Sequence, residues 1–187
     1  MCASSSRTWL TCWAWLGCKQ SLTIWWRPRT WPADVRWAAT LMVVVATAGG
    51  LATDVGPWYQ SLAQPAWKPP DAWFGPVWST LYVSTAWAGI RTWRRLPEGQ
   101  TRRLFLAACL LNALLNILWS VLYFAVRRPD WALIEAAVLW CSAAWVAWLM
   151  SRVDRVAVML MLPHLTWLGL AWALNQATVS LNPIWGG

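Results

Sequence analysis

The chain of 187 residues is strongly apolar and basic. Hydrophobic residues make up 59% and charged residues 12%, whereas soluble domains average about 45–50% and about 25%. This composition excludes an ordinary soluble enzyme and a disordered chain. The net charge of +8 does not indicate nucleic-acid binding, because the basic residues stand between long uncharged stretches instead of clustering on a polar surface. Tryptophan supplies 21 residues, against three Tyr and three Phe.

Residues 1–36 form a tryptophan-rich extension with six Trp and three Cys but no apolar stretch long enough to cross a bilayer. We interpret it as a disordered or interfacial segment, or as the product of a start codon assigned too early. A signal peptide with a lipobox-like site at Cys18 is an alternative that fits the pattern poorly. The five cysteines form no CxxC pair, so they predict neither a disulfide framework nor a metal site.

Five later stretches are long and apolar enough to cross a bilayer core about 30 Å thick. They lie at about 37–55, 73–93, 104–126, 131–151 and 156–179. Open sheets and irregular loops leave backbone groups unsatisfied in lipid. The sequence therefore predicts an all-α bundle of five transmembrane helices in residues 37–187.

The distribution of Lys and Arg predicts the orientation of this bundle. Twelve of the 15 basic residues precede the first span, lie at the end of span two or between spans two and three, or lie between spans four and five. Because basic residues mark cytoplasmic loops, the N-terminus is predicted inside and the C-terminus outside. The proline-rich loop between the first two spans then faces the exterior, and it is the only loop long enough to form a lid.

Polar and aromatic groups inside the predicted spans are candidate functional residues, because burying polar groups in lipid is costly. Trp78 and Tyr82 in the second span are four residues apart and share one helical face. Asn112, Asn116 and Trp119 share one face of the third span. For the two asparagines, hydrogen bonding between helices is an equal alternative to lining a pocket.

The fourth and fifth spans carry the remaining candidates. Glu135 is the one carboxylate of the fourth span, and one face of the fifth presents His164, Trp167, Ala171 and Asn175. Pro163 removes a backbone donor and predicts a kink beside His164. His164 is a candidate ligand of a haem iron, with hydrogen-bonded packing as the alternative.

Several separated blocks resemble the tryptophan-rich sensory protein and translocator protein family (TspO/MBR). These blocks are P-A-W-K-P-P at 65–70, W-S-T-L-Y at 78–82, L-L-N-A-L-L-N-I-L-W-S-V-L-Y-F at 110–124, A-L-I-E at 132–135 and L-P-H-L-T-W-L-G-L-A-W-A-L-N at 162–175. The resemblance extends over about residues 37–182. His164 departs from it, since the family usually has Tyr there.

The resemblance implies a TspO/MBR-like bundle of five helices, often a homodimer in the bilayer. It further implies a pocket for porphyrin or haem as ligand, with no cofactor required. In mitochondrial relatives this pocket takes cholesterol and benzodiazepine-type drugs. The residues carried over to the pocket are Tyr59, Pro69, Trp78, Tyr82, Asn112, Trp119, Trp167 and Ala171, and Glu135 and His164 are added as candidates.

The implied function is that of a tetrapyrrole-binding receptor that senses or regulates porphyrin metabolism and stress responses. One alternative is an enzyme that degrades porphyrin in light and oxygen, and another is a carrier of porphyrin or sterol-like ligands across the membrane. The sequence shows no paired carboxylates, nucleophile–base pair or cofactor loop, so an enzyme is supported by resemblance alone. The lack of an inverted repeat counts against a carrier.

Overall fold

The computed structural model describes residues 31–182, and the regular structure of this range is entirely helical, which confirms the all-α class. The α-helices are α1 Ala33–Ala52, α2 Pro57–Ser61, α3 Phe74–Arg95, α4 Gln100–Ser120, α5 Pro129–Ser151 and α6 Arg155–Leu181. They belong to one compact unit that begins at Pro32. Most of the predicted tryptophan-rich extension, residues 1–30, lies outside the described residues.

The five long helices correspond to the five predicted spans. Four of them, α1, α4 with its extension to Ala125, α5 and α6, are long and apolar enough to cross a membrane. The fifth, α3, has 22 residues but is less apolar, because it contains Ser and Thr and ends in an arginine-rich turn. The first helix begins at Ala33, four residues before the predicted start of its span.

The helix α5 is the most buried of the five long helices and packs against both α4 and α6. Its buried face contains Ala132 and Ala143, both 0% exposed. Small side chains allow helix backbones to approach closely. Ala88 and Thr92 of α3 are likewise fully buried, and α3 packs against α6 and α1.

An ion-pair cluster joins the end of α3 to the start of α6. Asp154 caps α6 by accepting a hydrogen bond from the backbone N–H of Val156. Its carboxylate also accepts from Arg91 Nε at 3.0 Å and Arg95 Nη1 at 2.7 Å. Burial acts to raise the pKa of Asp154, but the hydrogen bonds from Arg91 and the backbone outweigh it and hold that pKa below its ordinary value.

The turn between α3 and α4 depends on a glycine. Gly99 adopts φ of +114°, a conformation that other residues rarely adopt. This turn allows α4 to begin at Gln100, after a connection of only four residues, 96–99, from the arginine-rich end of α3. The helix α6 continues through Pro163 from Arg155 to Leu181.

Candidate functional site

A cavity of about 400 Å³ lies between α1, α3, α4, α6 and the loop that joins α1 to α3. We call it the main cavity. This volume falls within the range of about 300–1,000 Å³ that is typical of small-molecule sites. Eight aromatic side chains line it, namely Tyr59, Phe74, Trp78, Tyr82, Trp119, Tyr123, Phe124 and Trp167.

One aromatic wall of the main cavity comes from α3 and α6. Phe74, Trp78 and Tyr82 follow one another at intervals of four residues, which places them on one face of α3. The ring centroids of Trp78 and Tyr82 are 5.3 Å apart. Phe74 meets Trp167 of α6 edge to face at 5.7 Å, so the two helices present a continuous aromatic surface.

The opposite aromatic wall includes a π-helical turn. The segment Val121–Ala125 extends α4 with one π turn. Tyr123 and Phe124 in this turn are both buried, and both line the main cavity. Trp119 stacks beside Tyr123 at 5.4 Å.

The wall formed by α1 consists of small side chains. Ala46, Gly49, Gly50 and Thr53 line the main cavity on this side. A Cβ atom placed on Gly50 would meet no neighbouring group within 4 Å. The absence of side-chain volume on α1 therefore leaves open the space that the aromatic walls enclose.

The loop between α1 and α3 covers the main cavity and is tied to the end of α6. The backbone N–H and C=O of Ala63 both bond to the side-chain amide of Asn182, each at 3.0 Å. Thr178 Oγ1 donates to Gln64 Oε1 at 3.3 Å. These bonds hold the loop, and with it Tyr59, over the cavity.

A charged cluster in the same loop borders the main cavity. Lys68 Nζ donates to Tyr59 Oη at 2.9 Å and pairs with Asp71 Oδ1 at 2.7 Å. Burial raises the pKa of the Tyr59 hydroxyl. Burial acts to lower the pKa of Lys68, but its hydrogen bonds to Asp71 and Tyr59 outweigh that effect and raise the pKa overall.

A second cavity, of about 70 Å³, lies next to the main one. Tyr82 and Asn116 line both cavities, and Tyr82 Oη donates to Asn116 Oδ1 at 2.8 Å. Asn112 and His164 line only the second cavity of these two. The Tyr82–Asn116 hydrogen bond therefore forms part of the boundary between them.

Two indole N–H groups add polarity to the main cavity. Trp119 Nε1 and Trp167 Nε1 are buried and have no hydrogen-bond partner among residues 31–182. Both residues line the main cavity. An indole nitrogen is a donor only, and both of these donors are enclosed within the cavity wall and not exposed to the open space.

Sequence comparisons agree with this architecture. The profile of the TspO/MBR family matches residues 37–180. The chain belongs to the TspO/MBR family. Its relatives include the protein CrtK of Rhodobacter capsulatus, 31% identical over 78% of this chain and 92% of CrtK. The human translocator protein is 33% identical over 70% of this chain and 78% of its own length.

A third relative is the tryptophan-rich protein TspO of Chlorobaculum tepidum, 31% identical over 67% of this chain and 80% of that protein. Family membership and the four long apolar helices make this TspO/MBR protein an integral membrane protein. The resemblance drawn from the separated sequence blocks is confirmed.

The structure brings together six of the ten predicted site residues of this TspO/MBR protein. The six that line the main cavity are Tyr59, Trp78, Tyr82, Trp119, Trp167 and Ala171. Asn112 and His164 lie at the second cavity instead. Asn112 Nδ2 on α4 donates to Ser142 Oγ on α5 at 2.8 Å. Asn112 thus forms the hydrogen bond between helices that the sequence analysis gave as the alternative to lining a pocket.

The other two predicted residues, Pro69 and Glu135, line neither of these two cavities. Glu135 is 7% exposed on α5, and its carboxyl oxygens have no hydrogen-bond partner in the described range. Pro69 stands between Lys68 and Asp71 and shapes the loop that carries them. The predicted contacts of Pro69 and Glu135 with a ligand therefore have no counterpart in the lining of these two cavities.

Sequence reasoning missed several residues of the site. Phe74 precedes Trp78 by four residues, a spacing that already placed it on the same face of α3. Tyr123 follows Trp119 by four residues, so the same spacing signal placed it on the face of Trp119, and Phe124 belongs to the same motif block. Lys68 and Asp71 gave no signal of contact with Tyr59.

His164 is the residue that the sequence offers as a candidate ligand of a haem iron. His164 is 3% exposed, and both its ring nitrogens lack a hydrogen-bond partner within residues 31–182. Its ring lies edge to face with Trp78 at 5.9 Å, and it is not among the residues that line the main cavity. The described residues contain no cluster of three or more His, Cys, Asp or Glu able to hold a metal.

Proposed function

We propose that this TspO/MBR protein is a membrane receptor whose main cavity binds a tetrapyrrole, such as a porphyrin or haem. In this role it senses or regulates porphyrin metabolism and stress responses. The observation that carries the proposal is the aromatic lining of the cavity on facing walls. Flat aromatic surfaces favour a flat, apolar macrocycle through stacking and burial.

The polar groups of the lining also favour binding of such a molecule. Asp71 is the one charged residue that lines the cavity in the described range. The lining lacks a His or a second carboxylate within residues 31–182, which favours binding over acid–base catalysis.

A titration with protoporphyrin IX tests the proposal. The purified protein, in detergent and in the dark, is expected to bind one equivalent saturably, followed by quenching of tryptophan fluorescence. Gly50 lines the main cavity, and nothing lies within 4 Å of a Cβ at this position. The Gly50→Phe variant therefore places a ring in space that the ligand needs, and it is expected to abolish binding. The control is Gly169→Phe on α6, at a groove between Trp140 and Trp172 away from the main cavity.

Two results would contradict the proposed site. One is the absence of saturable binding to the wild-type protein, and the other is unchanged binding to Gly50→Phe. Illumination of the saturated sample then tests the enzyme alternative. Steady loss of the porphyrin absorbance in the wild type but not in Gly50→Phe would assign degradation to the main cavity.

We also infer the orientation and assembly of the receptor. The excess of basic residues before α1 and around the ends of α3 and α5 supports a cytoplasmic N-terminus, so the loop over the main cavity faces the exterior. A reporter enzyme active only outside the cytoplasm is expected to be active after residue 187 and inactive in the α3–α4 turn. The resemblance supports a homodimer, which cross-linking in membranes tests.

A further inference from the structure

We propose that Lys68 anchors a carboxylate of the bound ligand, so that the main cavity prefers ligands bearing an acidic group over their neutral analogues. This inference rests on the proposed function, because it requires a flat ligand in the main cavity. It assigns a specificity-determining role to a loop residue outside the aromatic walls.

The position of Lys68 at the edge of the main cavity is the first support. Its Nζ atom lies 2.9 Å from Tyr59 Oη and 2.7 Å from Asp71 Oδ1. Tyr59 and Asp71 both line the cavity. The ammonium also lies 4.7 Å from the centroid of the Tyr59 ring, which holds the cation against the aromatic lining.

The number of donors is the second support. An ammonium group has three N–H donors. Tyr59 Oη and Asp71 Oδ1 accept two hydrogen bonds from Lys68, and no third acceptor is present within residues 31–182. One donor is therefore available, and a ligand carboxylate is the acceptor that forms the stronger, charge-assisted bond with it.

Burial and charge are the third support. The side chain of Lys68 is 15% exposed, whereas that of Asp71 is 45% exposed. A ligand carboxylate can share the ammonium with Asp71 through the remaining donor, and the exposed position of Asp71 lets water screen the repulsion between the two carboxylates. Arg127 is a nearby cation whose partner, Asp54 at 3.9 Å, does not line the main cavity, whereas both partners of Lys68 do.

A purely structural role for the pair leads to a different expectation. If Lys68 and Asp71 only hold the loop closed, removal of either side chain loosens the loop and weakens all ligands together. If Lys68 is an anchor, removal of Lys68 weakens acidic ligands alone. Removal of the Asp71 charge then strengthens acidic ligands, because the repulsion between the two carboxylates is lost.

The test compares protoporphyrin IX with its dimethyl ester, which has the same ring and no carboxylate. The measured quantity is the ratio of the two Kd values in each protein variant, since partition of each ligand into detergent cancels between variants. We expect the preference for the free acid in this ratio to be about tenfold greater in the wild type than in Lys68→Gln, the effect of one hydrogen bond to a charged group. The preference is expected to be greater still in Asp71→Asn.

The control variant is Arg127→Gln, which removes an exposed cation of the same region and is expected to leave the ratio unchanged. Retained binding of the ester by Lys68→Gln shows that this variant is folded. Saturable binding with the same acid-to-ester ratio of Kd values in the wild type and in Lys68→Gln would overturn the anchor while leaving the proposed function intact. Equal weakening of both ligands in both variants would also overturn it, in favour of a structural pair. Failure of both ligands to bind the wild type would overturn the proposed function itself.

Discussion

The substitution Trp167→Ala gives the sharpest test of the aromatic walls. Trp167 lies on α6, is half-buried, and contacts Phe74 at 5.7 Å while lining the main cavity. The substitution removes one aromatic side chain from the wall of the main cavity and leaves the buried side chains of α5 unchanged. The expected result is weaker binding of protoporphyrin IX.

The magnitude follows from the area that the ligand loses. An aromatic side chain buries about 150–250 Å² in total. Because Trp167 is already half-buried against the protein, we take roughly 80 Å² as the share that covers the ligand. At about 25 cal/mol per Å² this area contributes about 2 kcal/mol, so Kd is expected to rise about thirtyfold.

The assay is the fluorescence titration in the dark, with Trp172→Ala as the matched control. Trp172 lies on the same helix, is 36% exposed and borders the groove with Trp140 instead of the main cavity. Both variants lose one of the 21 tryptophans, so the starting fluorescence is comparable. A rise in Kd of similar size in both variants, or in neither, would refute the assignment of Trp167 to the ligand site.

Three further predictions concern His164, Asp154 and Asn182. Because His164 lies outside the lining of the main cavity, the position of the Soret band of bound haem is expected to be the same in His164→Ala, and a shift of that band in the variant would support ligation. The pKa of Asp154 is lowered from 3.8, so its contribution to stability is present above that pH and is lost as the pH falls through the lowered pKa. Asp154→Asn is expected to lower the melting temperature at pH 7 and to show a smaller further loss on acidification. Asn182→Ala removes both bonds to Ala63, and hydrogen exchange at Ala63 is expected to become faster while the centre of α5 stays unchanged.

Spacing along the chain predicted the faces of the helices but not the depth at which each residue lies. Asn112 and Trp119 share one face of α4, yet seven residues separate them, which corresponds to about 10 Å along the axis. Trp119 therefore lines the main cavity, whereas Asn112 lies at the second cavity. The boundary between the cavities depends on Tyr82 and Asn116, which belong to different helices and meet only in the folded bundle.

Tyr123 follows Trp119 by four residues, so local spacing already indicated a common face for the two. Local spacing failed in the loop between α1 and α3. Lys68 and Tyr59 are nine residues apart in an irregular loop, and their hydrogen bond depends on how that loop folds back on itself. Glu135 was a candidate site residue because it is the one carboxylate of the fourth span. The structure buries it on α5 outside both cavities.

The abundance of tryptophan, the long uncharged stretches and the motif blocks determined by themselves that this is a helical membrane protein of the TspO/MBR type. They also determined which residues share a helical face, because hydropathy and the period of 3.6 residues are properties of neighbouring positions. Only the tertiary structure decided which faces converge, where the main cavity ends and which cation stands at its edge. Those features depend on contacts between residues that are distant along the chain, and the sequence specifies such contacts only through the packing of the whole bundle.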